Sequence, residues 1–273
     1  MMEVTILNKE KIVLFVSKNA DYNKAESIAK KLDINMVFEE SENMSLYLRF
    51  DENGLALVSK DMKLYGDFSK MCKRLKTNNL RNELLVKAAK IKEKNKNLNA
   101  IDATAGLGED SFLLAAAGFN VKLYEKNPII AALLIDALDR AKNMPDLEKI
   151  INKMEVIEED SINALKNINE KVDVILLDPM FPERTKSGLV KKKFQILHKI
   201  ETPCNNEVDL INAAFDANPH KIIIKRPLKG EYLAGMKPSY SIKGKAIRYD
   251  VWNKGRLEYR TALYFISIKL YRW

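Results

Sequence analysis

The sequence predicts an α/β fold: a mostly parallel sheet with helices on both faces, preceded by a small α/β subdomain. Three observations carry this. From Leu98 onward, short apolar runs alternate with segments of helical periodicity. The first of these runs leads into a glycine-bearing turn, Thr104-Ala-Gly106-Leu-Gly108, that opens a helix. After Ser239 the strand-like runs follow one another without an intervening helix, which suits an antiparallel edge.

In chain order, Lys11-Ile-Val-Leu-Phe-Val16 is a candidate strand. Ala25, Ile28, Ala29 and Leu32 have the apolar spacing of a helix over 24–32. Runs at 45–50 and 54–58 flank Asp51-Glu-Asn-Gly54, a hairpin turn. Residues 1–66 thus read as the small subdomain, with no catalytic constellation. Residues 67–97 read as a basic helical linker. Over 60–96, twelve Lys or Arg stand against four Asp or Glu, and Leu84, Leu85, Ala88 and Ala89 predict one helix over 80–91. This run is either a solvated face or a phosphate-binding surface. Residues 98–273 hold the main sheet, with strands expected at 98–103, 121–125, 154–159, 172–177, 221–225, 246–252 and 261–270. A small-residue helix over 109–117 is stopped by Gly118. Asn127 caps and Pro128 opens the next helix, which runs to Lys142.

Composition narrows the function. The chain has 273 residues, 47% of them hydrophobic, enough to bury a sizeable core. Its net charge of +9 favours an anionic partner, nucleic acid foremost, with a merely basic surface as the plain alternative. Cys72 and Cys204 are too far apart to suggest a metal pair, and they read as reduced thiols of a cytoplasmic protein. His198 and His220 have no Cys or second His beside them, so neither a metal nor a Ser-His-Asp triad is expected. The apolar stretch from Ile12 to Val16 is too short for a signal core, and no run reaches membrane-spanning length. The expectation is a soluble protein with no membrane partner.

In open α/β sheets, ligands bind beyond the carboxyl ends of the strands. The chemistry-bearing residues here fall at such ends. Asp102 ends the first strand of the main sheet and, with Gly106 and Gly108, is a candidate cofactor-binding residue. Gly106 and Gly108 let the following turn approach a cofactor closely. A dinucleotide fingerprint would place a third glycine at 111, where this chain has Ser111, so S-adenosylmethionine is favoured over nicotinamide. Glu125 ends the second strand, placed to accept from both ribose hydroxyls. Asp160 and Ser161 end the third, where Asp160 can accept from an adenine amine or cap a helix. Asp178-Pro179-Met180-Phe181 ends the fourth. The exocyclic amine of a base is a poor nucleophile because its lone pair is delocalised into the ring. The Asp178 carboxylate and the Pro179 carbonyl can accept both N–H groups and turn that lone pair toward a sulfonium methyl. Phe181 can stack on the base. Positioning does the remaining work, and Asp178 or solvent takes the proton. Arg184, Lys186, Lys191, Lys192 and Lys193 follow with no acid after Arg184 in that run, and Lys225 and Arg226 end the fifth strand. These seven are candidate RNA-binding residues.

Together these segments resemble the bacterial ribosomal RNA small-subunit methyltransferase J family. The resemblance rests on Asp102-Ala-Thr-Ala-Gly-Leu-Gly108, Glu125-Lys-Asn-Pro-Ile-Ile-Ala-Ala-Leu-Leu134 and Leu177-Asp-Pro-Met-Phe-Pro182. It extends through Lys186-Ser-Gly-Leu-Val-Lys-Lys192, Ile224-Lys-Arg-Pro227 and, more loosely, Arg248-Tyr-Asp250. It implies a class I methyltransferase-like (Rossmann-like) sheet and transfer of a methyl group from S-adenosylmethionine to a guanine exocyclic amine. The substrate implied is small-subunit ribosomal RNA or the small ribosomal subunit. Cofactor contacts are implied at Glu109 and Asp110, Glu125 and Lys126, Asp160 and Ser161, and Asp178. The chain departs from the family at Glu109, where Arg is usual, and at Asn78-Asn-Leu-Arg81, where a Gly-rich segment is usual. The tail beyond Gly255 reads as an extension. The rival readings are a methyltransferase acting on DNA adenine or a protein amide, an RNA-binding paralogue without catalysis, and, more distantly, a nicotinamide oxidoreductase.

Overall fold

In Tyr47–Asp51 the apolar Leu48 and Phe50 alternate with Tyr47, Arg49 and Asp51, the period-two pattern of a strand with one face in a core. This strand lies at the centre of the first of two sheets. The computed structural model describes residues 12–41, 44–60, 62–92, 97–179, 200 and 206–254. The first sheet comprises β1 (Leu14–Val16), β2 (Met36–Val37), β3 (Tyr47–Asp51), β4 (Gly54–Ser59) and β5 (Met62–Leu64), in the order β2-β1-β3-β4-β5. β1 runs parallel to β2 and β3, and the rest is antiparallel. Helix α1 (Tyr22–Leu32) is capped by Asp21, whose side chain accepts from the Lys24 N–H. The predicted hairpin turn is present between β3 and β4. A side chain at Gly54 would collide with Arg140 Nε and Asp136 Oδ2.

Three short helices follow: α2 (Cys72–Leu75), α3 (Thr77–Asn82) and α4 (Leu84–Ala89). The single helix predicted over 80–91 is broken at Glu83, whose backbone is extended at φ −58° and ψ 131°. The Glu83 carboxylate reaches back to Arg74, accepting from Nε at 2.6 Å and from an Nη at 2.7 Å. That bidentate pair stabilises the corner over a continuous helix. Leu85, Ala88 and Ala89 are buried in the same core as Ala100, Val174 and Ile223 of the main sheet.

The main sheet alternates with helices. Its elements are β6 (Asn99–Asp102), α5 (Glu109–Ala116), β7 (Asn120–Tyr124), α6 (Pro128–Lys142), α7 (Pro145–Ile151), β8 (Met154–Ile157), α8 (Ser161–Lys166) and β9 (Val174–Leu177). These are followed by α9 (Glu207–Asp216), β10 (Lys221–Pro227), β11 (Tyr240–Lys243) and β12 (Ile247–Asn253). The order is β11-β12-β10-β9-β6-β7-β8. β8, β7, β6, β9 and β10 are parallel, and β12 is antiparallel to both β10 and β11. The antiparallel edge is therefore built by 240–243 with 247–253. Tyr240-Ser-Ile-Lys243 has a single aliphatic residue and half-exposed faces, so periodicity does not disclose it. The run at 261–270 lies outside the described residues.

Alternate residues of the central strands face two cores. Leu123, Val174, Leu176 and Ile223 pack with α5, α7 and α4; Ile175, Leu177, Ile222 and Ile224 pack with α8 and α9. Helices thus cover both faces. α6 links the two sheets: Leu134, Ala137 and Ala141 enter the main core, while Ile130 and Leu133 enter the core of the first sheet. The chain order reverses between β6 and β9, the switch point at which such sheets open a crevice at the strands' carboxyl ends.

Candidate active site

Asp102 ends β6 at the switch point. It is buried and turned inward: Oδ1 accepts from the Thr104 N–H at 3.1 Å, and Oδ2 accepts from the Ser111 hydroxyl at 2.6 Å. Burial pushes its carboxyl up to about 7, against the pull of those two donors. Ser111 stands where a dinucleotide fingerprint would have its third glycine. Its hydroxyl anchors the turn, a role that only the missing glycine hints at.

Gly106 and Gly108 both have left-handed backbones, at φ 54° and 75°. They differ in surroundings. A Cβ on Gly106 would meet nothing within 4 Å, so that Cα faces open space, whereas one on Gly108 would meet Leu134 Cδ1 at 2.7 Å. The Cα of Gly108 is therefore packed, and that of Gly106 is open. The Gly106 N–H donates to Glu125 Oε2 at 3.0 Å, and the Asn127 N–H donates to Oε1 at 2.8 Å. Glu125, at the end of β7, is thereby locked beside the turn. Burial raises its carboxyl, and these N–H groups oppose the rise. Lys126 is exposed next to it. Asp160 caps α8 by accepting from the Ile162 N–H at 2.9 Å, and Ser161 is buried.

Asp178 lies at the end of β9, its backbone N–H donating to Thr104 Oγ1 at 2.6 Å. The fourth strand end and the glycine turn therefore meet directly. Lys225 Nζ sits between two carboxylates, 2.8 Å from Asp110 Oδ2 and 2.9 Å from Asp178 Oδ2. Asp110 is in the first turn of α5. Burial works against the Lys225 charge, but Asp110 and Asp178 outweigh it and hold the ammonium well above its ordinary range. Opposite Lys225 in the β10–β12 ladder is Tyr249, a buried phenol. Burial pushes it up, with Asp110 and Asp178 adding to the rise.

Lys225 and Arg226 are thus placed differently from the phosphate-facing surface expected for them. Lys225 points to the carboxylates. Arg226 is buried, donates from Nε to the Glu231 carbonyl at 2.8 Å, and has its guanidinium lowered by that burial. Pro179 is buried beside Asp178, and Glu109 is exposed on the first turn of α5. Phe181, Arg184, Lys186, Lys191, Lys192 and Lys193 lie outside the described residues. Sequence reasoning misses Thr104 and Tyr249. For Tyr249 the available signal is strand alternation: Arg248 and Asp250 form a buried ion pair on the other face, where Arg248 also holds the carbonyls of Pro227, Leu228 and Gly230. Among the described residues, no three His, Cys, Asp or Glu are grouped to hold a metal ion, and no helix is long and apolar enough to cross a membrane.

A family profile described as "Putative SAM-dependent methyltransferase" matches residues 27–254. A protein of Thioalkalivibrio sulfidiphilus named ribosomal RNA small subunit methyltransferase J is 36% identical over 85% of this chain and 93% of its own length. A protein of the same name from Francisella philomiragia is 37% identical over 81% of this chain and 93% of its own. The chain belongs to the ribosomal RNA small subunit methyltransferase J family. A solved SAM-dependent methyltransferase from Neisseria gonorrhoeae superposes with a TM-score of 0.70 at 26% identity, covering 88% of this chain and 95% of that one. The protein is an S-adenosylmethionine-dependent methyltransferase with the class I fold. The site fits that cofactor. Gly106 leaves open space at the turn, with Glu125 bonded to the Gly106 N–H on one side and Asp178 bonded to Thr104 on the other.

Proposed function

We propose that this enzyme methylates the exocyclic amine of a guanine in small-subunit ribosomal RNA. The observation that carries the reading is the Asp178–Thr104 hydrogen bond, which ties the amine-accepting strand end to the cofactor turn. The names of the family relatives support the substrate class.

S-adenosylmethionine supplies the activated methyl group. The chain's residues do the positioning. Asp102 and Ser111 shape the turn; Gly106, Gly108, Glu109, Asp110, Glu125, Lys126, Asp160 and Ser161 hold the cofactor. The Asp178 carboxylate and the Pro179 carbonyl accept the two N–H groups of the guanine amine, directing its lone pair at the methyl carbon. Phe181 stacks on the base, and Asp178 or solvent takes the proton. Arg184, Lys186, Lys191, Lys192 and Lys193 grip flanking phosphates, joined by the exposed Lys73, Lys76 and Arg81 on and between α2 and α3. Residues 1–66 and 67–97 serve as a subdomain and a basic connection to the catalytic domain, 98–273. The protein works in the cytoplasm, where the small ribosomal subunit is its partner.

The test is transfer of labelled methyl groups to naked small-subunit RNA, assembled small subunits and DNA, with nucleosides analysed afterwards. Label in N2-methylguanosine of the RNA or the subunit is expected. Label confined to DNA or protein, or no transfer at all, overturns the reading.

A further inference from the structure

The sequence places Lys225 at an RNA surface, yet its ammonium is engaged by two carboxylates from different elements, with its side chain 27% exposed. Asp110 belongs to the helix that follows the cofactor turn, and Asp178 to the strand end proposed to receive the acceptor amine. Asp178 is held from two sides: its N–H by Thr104 Oγ1 and its Oδ2 by Lys225 Nζ. The hydrogen bond fixes the backbone at Asp178, and the ion pair holds one of its carboxylate oxygens toward Lys225. A lysine joining Asp110 to Asp178 also offsets the repulsion between two acids that would otherwise share one polar space.

We infer that Lys225 is a positioning residue for methyl transfer, holding the Asp178 carboxylate ionised and in a single orientation while linking it to the cofactor-side helix. This rests on Asp178 being the group that receives the acceptor amine. Among the described residues, the groups that act on the ammonium are Asp110 on α5, Asp178 after β9 and Tyr249 on β12. Beyond them, Asp102 at the end of β6 and Arg226 on β10 feel Asp178, and Arg74 on α2, already paired with Glu83, feels Asp110 and Tyr249. Only Lys225 touches both Asp110 and Asp178 among the ion pairs of the described residues. With Lys225 made neutral, Asp110 and Asp178 lose the cation between them and the Asp178 carboxyl must titrate higher.

Lys225→Met and Lys225→Gln remove the charge by two routes of different polarity, so the test survives if one variant does not fold. Lys225→Arg restores the charge. In the neutral variants kcat should fall about tenfold to a hundredfold, the scale of a mispositioned reacting group, with the KM for RNA changed little. The acid limb of the kcat profile should move upward by about one pH unit, and Lys225→Arg should recover part of kcat and the original limb. A second readout needs no activity: the carbon-13 carboxyl signal of Asp178, assigned by its absence in Asp178→Asn, should show a raised titration midpoint in the neutral variants. An unmoved midpoint overturns the proposal, as does an unchanged kcat. A raised KM for RNA with a shallower salt dependence and normal kcat overturns it in favour of a phosphate contact. If the wild type transfers no methyl group to small-subunit RNA, the function assigned above fails, while the carboxyl titration still decides whether Lys225 governs Asp178.

Discussion

Two carboxylate clusters in this protein hold their charges in contrasting ways. Where α6 joins the first sheet, Asp136 is 2% exposed. It accepts from Lys24 Nζ at 3.0 Å, from Arg140 Nε at 2.8 Å and from the Leu55 N–H at 2.9 Å. Two cations and a backbone donor serve that one buried acid, and the exposed Asp139 shares Lys24 at 3.4 Å. At the carboxyl edge of the main sheet, one ammonium bridges two acids, and Asp178 keeps 38% of its side-chain surface. In the first cluster the central acid is buried and its charge compensated, as at a joint between two sheets it must be to avoid an unpaired buried charge. In the second, Asp178 itself is open to solvent, which suits the amine-accepting role proposed for it. Asp136 is closed off from solvent, and Asp178 is accessible.

Breaking each cluster should separate stability from activity. Asp136→Ala leaves Lys24 with Asp139 alone, takes the ion pair from Arg140 and leaves the Leu55 N–H without its acceptor. An unsatisfied buried donor alone costs about 1–3 kcal/mol, and the lost ion pairs add to it, so urea unfolding should show a large drop. A loss below about 1 kcal/mol would mean the joint does not depend on that acid. Asp178→Ala should act the other way. Methyl transfer should fall about a hundredfold or more, the scale of removing a preorganised acceptor at the reacting group, while the melting temperature moves far less than in Asp136→Ala. Normal turnover by Asp178→Ala would remove that carboxylate from the mechanism.

The same contrast explains what can be read from the chain without its fold. Strand ends are legible because apolar runs stop at them. Asp102, Glu125, Asp160 and Asp178 can therefore be placed at the sheet's carboxyl edge from spacing alone, and the cap at Asn127 with Pro128 marks the start of α6. Partnerships between distant side chains are not legible in this way. Lys225 lies 115 positions from Asp110 and 47 from Asp178, and a lysine at a strand end looks alike whether it faces phosphate or carboxylate. Thr104 and Ser111 escape because hydroxyls carry no periodic signal. The break at Glu83 escapes because a local helical pattern cannot register the pull of Arg74. The short β2 and β5 fall below the length at which alternation is readable.

Asp102 sharpens the comparison from inside the turn, since it is buried like Asp136 but has hydroxyl and amide donors in place of cations. Its carboxyl is pushed from 3.8 to about 7. A raised acid binds its proton more tightly when folded. Its contribution to stability is therefore complete below the ordinary value and is lost as pH climbs through about 7. Asp102→Asn keeps a carbonyl acceptor and an amide that the Ser111 hydroxyl can turn to meet. It should flatten that part of the pH dependence, where a tenfold difference in proton affinity between folded and unfolded chains corresponds to about 1.4 kcal/mol. Unfolding curves at about pH 5 and about pH 8 for both proteins would measure it. An identical pH dependence in the variant would show that burial does not hold this proton.

The smallest effect is expected where cations have neither a closed cluster nor a working acid. Lys73, Lys76 and Arg81 are exposed on and between α2 and α3, near Arg74, whose guanidinium feels Asp110 and Tyr249 at the site's rim. Arg74 is occupied by Glu83, so on and between α2 and α3 it is the three exposed residues that are placed to meet a phosphate backbone. The triple variant Lys73→Glu, Lys76→Glu, Arg81→Glu should raise the KM for RNA by about tenfold at low salt, a difference that shrinks as salt rises because fewer counterions are released. Unfolding free energy should stay within about 0.5 kcal/mol, as for exposed substitutions, and cofactor affinity should not move. If the KM and its salt slope match the wild type, these cations are a solvated face, and the RNA-facing charge of the enzyme lies on other elements.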